Sequence, residues 1–348
     1  MNQKYTRKTA DIKEEKTIWW NEKKNCITTI DQTLLPNKYK IIDITTIDQL
    51  ADAIKRLVVR GAPALGVLGA YGMALSARSC DDDSKFQETI EKDAKILKGT
   101  RPTAVNLSWG VDKVMQAMEN LPPKIAKVIA LFSAKTIAEE DTKNCMLLGH
   151  NGANLLPQIG TVLTHCNAGA FACSSWGTAL GVIRSATKMG KHISVFSCET
   201  RPLLQGSRLT AFELARDGIS VTTIIDSEAA YLMQQKKIDA VIVGADRITK
   251  DGIFNKIGTY MHAVCAKHHN IPFYVTAPIS TFDKETEMKD IIVEERKREE
   301  ISEMFGKNTV PKDVPVINYA FDATPLNLVS AIITEKGVLY PPYDFSGL

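Results

Sequence analysis

The sequence lacks the glycine signatures of the common nucleotide-binding proteins. Gly66, Gly69 and Gly72 follow the spacing G-x-x-G-x-x-G rather than G-x-G-x-x-G, and no GxxxxGK[ST] loop occurs. A dehydrogenase, which the sheet pattern described below would otherwise suggest, is therefore disfavoured. The chain also has no Cys-x-x-Cys pair, and His268-His269 has neither partners nor spacing for zinc. We expect no metal site.

Charge of one sign and long apolar runs are also missing. Lys and Arg number 43 and Asp and Glu number 40, which gives a net charge of +3. A nucleic-acid-binding protein should carry a concentrated basic face, so we expect no nucleic-acid partner. The mixed-sign stretch 293–300 predicts a solvated helix face.

No apolar run reaches membrane-spanning length and the N-terminus is polar, so we expect no membrane association and a cytoplasmic protein. The cysteine pattern agrees with this expectation. An odd number of cysteines without a regular framework fits a reducing compartment. The seven are Cys26, Cys80, Cys145, Cys166, Cys173, Cys198 and Cys265.

The pattern of apolar residues predicts an α/β protein with two domains. Residues 1–121 form a small strand element, with a hairpin from 17–20 and 26–30, followed by helices near 46–58, 64–78, 85–97 and 107–118. Leu121-Pro122-Pro123 marks the predicted boundary. Residues 122–348 begin with a helix over 125–148 and continue as a Rossmann-like, doubly wound parallel sheet. Its predicted strands are 161–165, 192–197, 220–225, 239–243, 272–276 and 337–340, with helices over 173–189, 207–217, 227–236 and 257–269.

Three of these strands end in polar clusters. Cys166 follows the predicted strand 161–165, and Asp246 follows the predicted strand 239–243. Ligands bind beyond the carboxyl ends of parallel strands. A thiol near a helix N-terminus can have a lowered pKa. The position of Cys166 at the end of a strand favours a functional residue over a buried apolar one. Asp246 is either a general acid with a raised pKa or a turn aspartate, and Arg247 is a candidate ion-pair partner that would oppose the rise.

Cations recur before helices. Arg60, Gly61 and Ala62 stand at one predicted helix start, where a guanidinium and free backbone amides suit a phosphate. Arg101 precedes another helix, and Asn255 and Lys256 precede the helix expected near residue 257. Each signal is weak alone, but their recurrence favours a phosphorylated metabolite over NAD or ATP.

Several blocks together resemble one family, that of the S-methyl-5-thioribose-1-phosphate isomerases, which also contains the alpha, beta and delta regulatory subunits of translation initiation factor 2B. The blocks span about residues 55 to 343. They are Val59–Ala64, Arg101–Leu107, Leu163–Ala170, Glu199–Gly206, Val243–Ile248, Asn255–Tyr260, Phe321–Pro325 and Ile333–Val338.

The resemblance implies a homodimeric enzyme of methionine salvage, a sugar-phosphate aldose–ketose isomerase without metal or organic cofactor. It implies that Asp246 is the proton donor and that Cys166 assists at the transition state. Substrate contacts then map onto Arg60, Gly61, Ala62, Arg101, Gln205, Asn255 and Lys256.

Two alternatives stay open at this point. The first is an isomerase of 5-deoxyribose 1-phosphate or ribose 1,5-bisphosphate, since the bulky segment 171–176 leaves the sugar 5-substituent undecided. The more distant one is a non-catalytic regulatory subunit of the translational guanine-nucleotide exchange factor. The presence of both Cys166 and Asp246 distinguishes an isomerase from a regulatory subunit, because a non-catalytic scaffold is not expected to keep both residues.

Overall fold

The computed structural model describes Ile12, residues 14–101 and residues 104–348. Pro102 and Thr103, which belong to the block that begins at Arg101, lie outside the described residues. Within the described part of the chain, no helix is long and apolar enough to span a membrane.

The N-terminal half is a small antiparallel sheet followed by helices. The sheet has the order β1-β2-β3 and contains the predicted hairpin. Its strands are β1 (Ile18–Asn21), β2 (Cys26–Ile30) and β3 (Ile41–Ile44). The helices are α1 (Ile47–Lys55), α2 (Ala62–Ser79), α3 (Phe86–Lys98), α4 (Val105–Met118) and α5 (Pro123–Ala153).

Helix α2 is the centre of this half. Its residues 64–77 are all buried, since neighbouring helices cover it on every side. Glycines bring α2 and α4 close together: a Cβ added at Gly110 would lie 1.9 Å from the Gly66 carbonyl oxygen, and one at Gly69 would lie 2.5 Å from the Leu107 carbonyl oxygen. Gly66 and Gly69, which do not belong to a nucleotide-binding motif, thus permit tight packing of α2 against α4.

The C-terminal half is built on alternating strands and helices. The strands are β4 (Ile159–Thr164), β5 (His192–Cys198), β6 (Ser220–Ile224), β7 (Ala240–Gly244), β8 (Arg247–Ile248), β9 (Gly252–Lys256), β10 (Phe273–Thr276), β11 (Glu303–Met304), β12 (Lys307–Asn308), β13 (Phe321–Pro325), β14 (Ala331–Thr334) and β15 (Gly337–Leu339). The helices are α6 (Ala179–Lys188), α7 (Ala211–Arg216), α8 (Glu228–Gln234), α9 (Thr259–His268) and α10 (Glu299–Ser302).

The main sheet has seven strands in the order β15-β14-β10-β7-β4-β5-β6. All neighbours are parallel except β14 and β15. From β4 the order grows outward in both directions, as in the Rossmann fold, so the direction of winding reverses between β4 and β7. The predicted doubly wound fold is confirmed.

Both faces of this sheet are covered. Ala240 and Ile242 pack in one apolar cluster with residues of α5 and α6, whereas Val241 and Val243 pack in another with residues of α8 and α9. Because successive side chains of a strand point to opposite faces, a doubly covered strand must be apolar at every position.

The long helix α5 belongs to both halves. Up to Ala138 its buried residues pack in the N-terminal core, and from Cys145 onward they pack against the main sheet. The boundary at residues 121 and 122 therefore stays a prediction, since one continuous helix joins the two cores.

Several predicted elements need correction. The helix expected over 173–189 begins only at Ala179, because Trp176 and Gly177 have φ of 61° and 87°, which a right-handed helix does not allow. The helix expected over 207–217 starts with a π-helical turn over 206–210. Asn255 and Lys256 lie in β9, four and three residues before the first residue of α9.

The remaining corrections concern the C-terminal region. The charged stretch 293–300 is not a helix, since α10 contains only its last two residues. Strand β14 was not anticipated, and the strand expected near 337–340 is the antiparallel edge β15. The short sheet β8-β9-β13, antiparallel throughout, was also missed.

Candidate active site

The candidate site lies where the winding of the main sheet reverses. Cys166 follows β4, and Asp246 follows the adjacent strand β7. A pocket of about 730 Å³ opens at this point. All nine residues predicted from the sequence line it: Arg60, Gly61, Ala62, Arg101, Cys166, Gln205, Asp246, Asn255 and Lys256.

Cys166 is held in an unusual backbone conformation. Its φ is 65°, in the left-handed region, where a residue other than glycine costs about 1–3 kcal/mol. Its N–H donates to Thr200 Oγ1 at 2.8 Å, and its carbonyl oxygen accepts from Thr210 Oγ1 at 2.7 Å. Two buried threonines thus fix the conformation that turns the thiol into the pocket.

The pKa of Cys166 is not lowered in the structure. Burial raises the pKa of this thiol, although the positive charges of Arg60 and Lys256 oppose the rise. The thiol gains no help from α6, which begins only at Ala179. At rest Cys166 is therefore a neutral thiol.

Of the two possibilities left open for Asp246, the structure favours the carboxyl with a raised pKa. Burial raises it, while Lys256, Arg101 and Arg60 act in the opposite direction. Arg247, the partner expected from the sequence, lies with its Nη1 3.6 Å from the carboxylate of Asp283. Asp246 thus binds its proton more tightly than an exposed aspartate does, as a general acid requires.

The pocket contains two buried cations. Arg60 is 8% exposed and Lys256 is 7% exposed. Among the residues that the structure describes, no carboxylate lies within 4.0 Å of either charge. Arg60 donates to the carbonyl and side-chain oxygens of Asn167, and Lys256 donates to the Ala320 carbonyl oxygen at 2.9 Å. Since a buried charge is costly unless paired, the two cations call for an anionic ligand.

Two buried polar atoms of the pocket have no partner among the residues that the structure describes. One is Arg60 Nε and the other is Gln205 Oε1. Burial also lowers the pKa of Lys256, but the nearby Cys166 and Asp246 oppose this. A free N–H donor beside two positive charges is suited to a phosphate oxygen.

The start of α2 contributes backbone donors to the same place. Gly61 caps this helix with φ of 98°, and a Cβ at this position would lie 2.6 Å from the Cα of Ala172. Only glycine allows this approach and this φ. Because a helix N-terminus carries partial positive charge, the α2 amides add to the attraction for an anion.

A network behind the pocket was not found by sequence reasoning. Glu213, with its side chain 3% exposed, accepts from Asn167 Nδ2 and from the Ala170 N–H, both at 2.7 Å. Arg184 donates to Glu213 at 2.9 Å and to Asp217 at 2.7 Å. Asn167, which accepts hydrogen bonds from Arg60, is therefore itself held by the buried Glu213–Arg184 ion pair. No local pattern of the sequence reveals this ion pair.

Arg296 is a second residue that the sequence interpretation missed. It lines the pocket, and its Nη1 lies 2.9 Å from Glu294, which also lies 3.2 Å from Arg101. The sequence interpretation placed this stretch on a solvated helix, and that interpretation is wrong. Alternating charges look the same in an exposed helix and in an ordered loop that folds over a site.

A larger cavity of about 1060 Å³ adjoins the pocket. It shares Gly61, Ala62, Arg101, Asp246 and Phe321 with the pocket. Its other walls are largely apolar and include Leu65, Ala104, Val105, Phe254, Ile291, Ile292 and Val293. A ligand with an anionic end in the pocket can thus place an apolar end here.

A Rossmann-like sheet joined to a helical region, with a cationic pocket at the reversal of winding, defines an α/β protein with a candidate site for a small anion. This chain belongs to the Initiation factor 2 subunit family, whose pattern matches residues 58–341.

Relatives with similar sequences extend over nearly the whole chain. A putative methylthioribose-1-phosphate isomerase of Methanosarcina acetivorans is 52% identical, over 96% of this chain and 97% of its own. The methylthioribose-1-phosphate isomerase of Acetivibrio thermocellus is 50% identical, over 90% of this chain and 94% of its own.

Two solved structures are similar in fold and sequence. The 5-methylthioribose 1-phosphate isomerase of Pyrococcus horikoshii has a TM-score of 0.89 and 42% identity, over 99% of this chain and 97% of its own. The translation initiation factor eIF-2B subunit delta of A. fulgidus has a TM-score of 0.85 and 51% identity, over 94% and 96%. The two kinds of protein considered from the sequence, the isomerase and the translation-factor subunit, thus both occur among similar structures.

Replacing Glu213 with Gln should destabilise the fold. The change leaves the Arg184 guanidinium buried with one carboxylate fewer, and breaking a buried ion pair costs about 3–5 kcal/mol. Urea unfolding followed by circular dichroism measures the loss. Glu228→Gln, at an exposed position in α8, is the control and should change the unfolding free energy by less than about 0.5 kcal/mol. Equal effects at the two positions would contradict the role of the buried network.

Proposed function

We propose that this chain is an aldose–ketose isomerase that converts 5-methylthioribose 1-phosphate into 5-methylthioribulose 1-phosphate in methionine salvage. Relatives about 50% identical over nearly the full length bear this name. The observation that supports it best is the pair of buried cations, Arg60 and Lys256, beside a neutral thiol and a carboxyl with a raised pKa.

The substrate phosphate supplies the charge that the pocket needs. It lies between Arg60, Lys256 and the first amides of α2, and it accepts from the Arg60 Nε–H. Burial makes these contacts stronger than they would be in water. Arg101, Gln205 and Asn255 line the same pocket and orient the sugar.

The reaction needs an acid because the substrate ring is blocked. Phosphate on the anomeric oxygen prevents spontaneous opening to a free aldehyde. Asp246 delivers its proton to the ring oxygen as the ring opens, and its raised pKa keeps that proton available. Cys166 then promotes transfer of hydrogen from C2 to C1. As the C2 carbonyl forms, the proton of the C2 hydroxyl passes to the ionised Asp246, which restores the acid and completes the ketose.

The adjoining cavity favours an apolar group at C5. A bisphosphate would need a second cationic pocket, whereas this cavity is lined mainly by aliphatic and aromatic side chains and contains Asp290 and Glu294. Methylthio and methyl groups both fit such walls. Since a difference of this size changes affinity by only about 1–3 kcal/mol, 5-deoxyribose 1-phosphate is the alternative substrate.

A regulatory subunit of the translational guanine-nucleotide exchange factor is the alternative of a different class. The 51% identity to a translation initiation factor eIF-2B subunit delta favours it. A scaffold has no use for Cys166 and Asp246 in one pocket with two unpaired buried cations, so we rank it second.

Purified protein should form ketose 1-phosphate from methylthioribose 1-phosphate without added metal or nucleotide. Asp246→Asn should lower kcat about 10²–10⁴-fold and leave substrate binding intact, because it removes only the transferable proton. In the parent enzyme, kcat should fall as pH rises through the raised pKa of Asp246, since the acid form is then lost.

Cys166→Ser should also abolish turnover without abolishing binding. Full activity in either variant would contradict the proposed roles. Turnover of only ribose 1,5-bisphosphate would identify a different isomerase, and no turnover of any of the three sugar phosphates would favour the scaffold.

Arg60→Ala should weaken binding of methylthioribose 1-phosphate about 10–100-fold, because hydrogen bonds to a charged group contribute about 1.5–3 kcal/mol. Isothermal titration calorimetry with the Asp246→Asn background measures binding without turnover. Arg56→Ala is the matched control, since Arg56 is an exposed residue directly after α1, in an ion pair with Asp52. Unchanged affinity in Arg60→Ala would exclude this guanidinium as the phosphate ligand.

We further propose that the chain forms a homodimer in the cytoplasm. Ile125, Val128 and Phe132 are 51%, 61% and 66% exposed along one face of α5, which supports self-association. All seven cysteines are free thiols, as suits a reducing compartment. Sedimentation equilibrium should give twice the mass of one chain, and Phe132→Glu should shift it toward monomer. A parent protein with the mass of one chain would contradict the dimer.

A further inference from the structure

Directly behind Cys166, three metal-binding side chains come together from distant parts of the chain. His165 stands at the end of β4, Cys198 at the end of β5, and His262 in α9. All three residues are at most 1% exposed. His262 Nε2 lies 3.2 Å from His165 Nδ1 and 3.6 Å from Cys198 Sγ. The three atoms all lie within 4.8 Å of one another.

We propose that His165, Cys198 and His262 bind one zinc ion, or a similar divalent transition-metal ion. With Zn–N bonds of about 2.0–2.1 Å and a Zn–S bond of about 2.3 Å, the ligand atoms of a tetrahedral site lie about 3.3–3.6 Å apart. The observed separations of 3.2 and 3.6 Å agree with those edges. Two imidazoles and one thiolate are a donor set that such ions prefer.

The surroundings of His165 support this assignment. Its Nε2 lies 2.8 Å from the Ile257 carbonyl oxygen, which can only accept, so the ring proton is on Nε2. The lone pair of Nδ1 is thereby directed toward the cluster. A backbone carbonyl that fixes the second nitrogen in this way is the usual partner of a metal-binding histidine.

A carboxylate stands at the fourth side. Asp226 Oδ1 lies 3.9 Å from His165 Nδ1. The two carboxylate oxygens are positioned by the N–H groups of Thr200 and Arg201, each at 2.8 Å. Asp226 can thus balance part of the charge of the ion, either by coordinating it or by electrostatic attraction without direct contact.

Binding exchanges one proton for the ion. The Cys198 thiol loses its proton to solvent as the Zn–S bond forms, and no oxidant or reductant is needed. The ion would tie together the ends of β4 and β5 and the helix α9. Because His165 precedes Cys166 and Cys198 precedes the loop that holds Thr200, it would stabilise the catalytic loop without contacting substrate.

The sequence expectation of no metal considered only ligands that are close together in the chain. Here the ligands are 33 and 64 residues apart, so no spacing motif exists. A second cluster, Asp141, Cys145 and Cys173, also has its ligand atoms within 4.8 Å. It contains no imidazole, and Asp141 already accepts from the Ser174 N–H at 2.6 Å.

The test is metal binding by the purified full-length chain. After incubation with zinc and gel filtration, mass spectrometry of the metal content should give one zinc per chain. With cobalt(II) in place of zinc, the thiolate should produce a sulfur-to-metal charge-transfer absorption. Cys198→Ser should abolish that absorption and weaken zinc binding at least tenfold, and His262→Gln should weaken it comparably.

Cys145→Ser is the matched control, because it removes a buried thiol of the other cluster. It should keep both the absorption and the affinity. Thermal melting of each variant without metal shows whether it is folded, and Cys198→Ser, which replaces one atom, is the variant expected to fold normally. The proposal is overturned if the parent chain takes up no zinc or cobalt, if Cys198→Ser keeps the absorption, or if Cys145→Ser loses it. These readouts are independent of isomerase activity.

Discussion

The site depends on buried positive charge that the described protein does not neutralise. Among the described residues, Arg60 and Lys256 each lie in the pocket without a carboxylate within 4.0 Å, although Asp246 is near enough for its charge to act on both. The fold tolerates this because Asn167 and Ala320 satisfy part of their hydrogen bonding through neutral oxygens, and Glu213 fixes Asn167 from behind. A neutral oxygen holds a guanidinium in place without cancelling its charge. The pocket thus remains attractive to a ligand that carries two negative charges.

The two halves of the chain contribute complementary parts of this site. The helical half supplies Arg60 and the start of α2, while the sheet supplies Cys166 and Asp246. Helix α5 runs through both cores, so the two contributions to the pocket are parts of one packed body. Tight glycine contacts between α2 and α4 add rigidity on the helical side. Precise placement of a small ligand against the thiol and the carboxyl, as the proposed reaction needs, requires such rigidity.

Sequence reasoning found the parts that local patterns encode. Alternating apolar runs located β4, β5 and β7, and the polar residues after them led to Cys166 and Asp246. It failed where the decisive contact is long-range. The pKa of Cys166 depends on burial by residues that are far away in sequence, Glu213 reaches Asn167 across 46 residues, and Arg296 enters the pocket from a loop whose charges resemble a solvated helix. The roles of the nine site residues came from family resemblance, and their grouping in one pocket is what the fold adds.

Neither Cys166 nor Asp246 belongs to the apolar clusters that hold the two cores together. Under the proposed roles, substitution at either position would end catalysis while leaving these clusters intact. The surfaces of the stable body then remain free to acquire partners under new selection. The residues that hold the fold together are thus separate from the residues proposed to react. Such a separation explains how enzymes and translation-factor subunits can share one architecture.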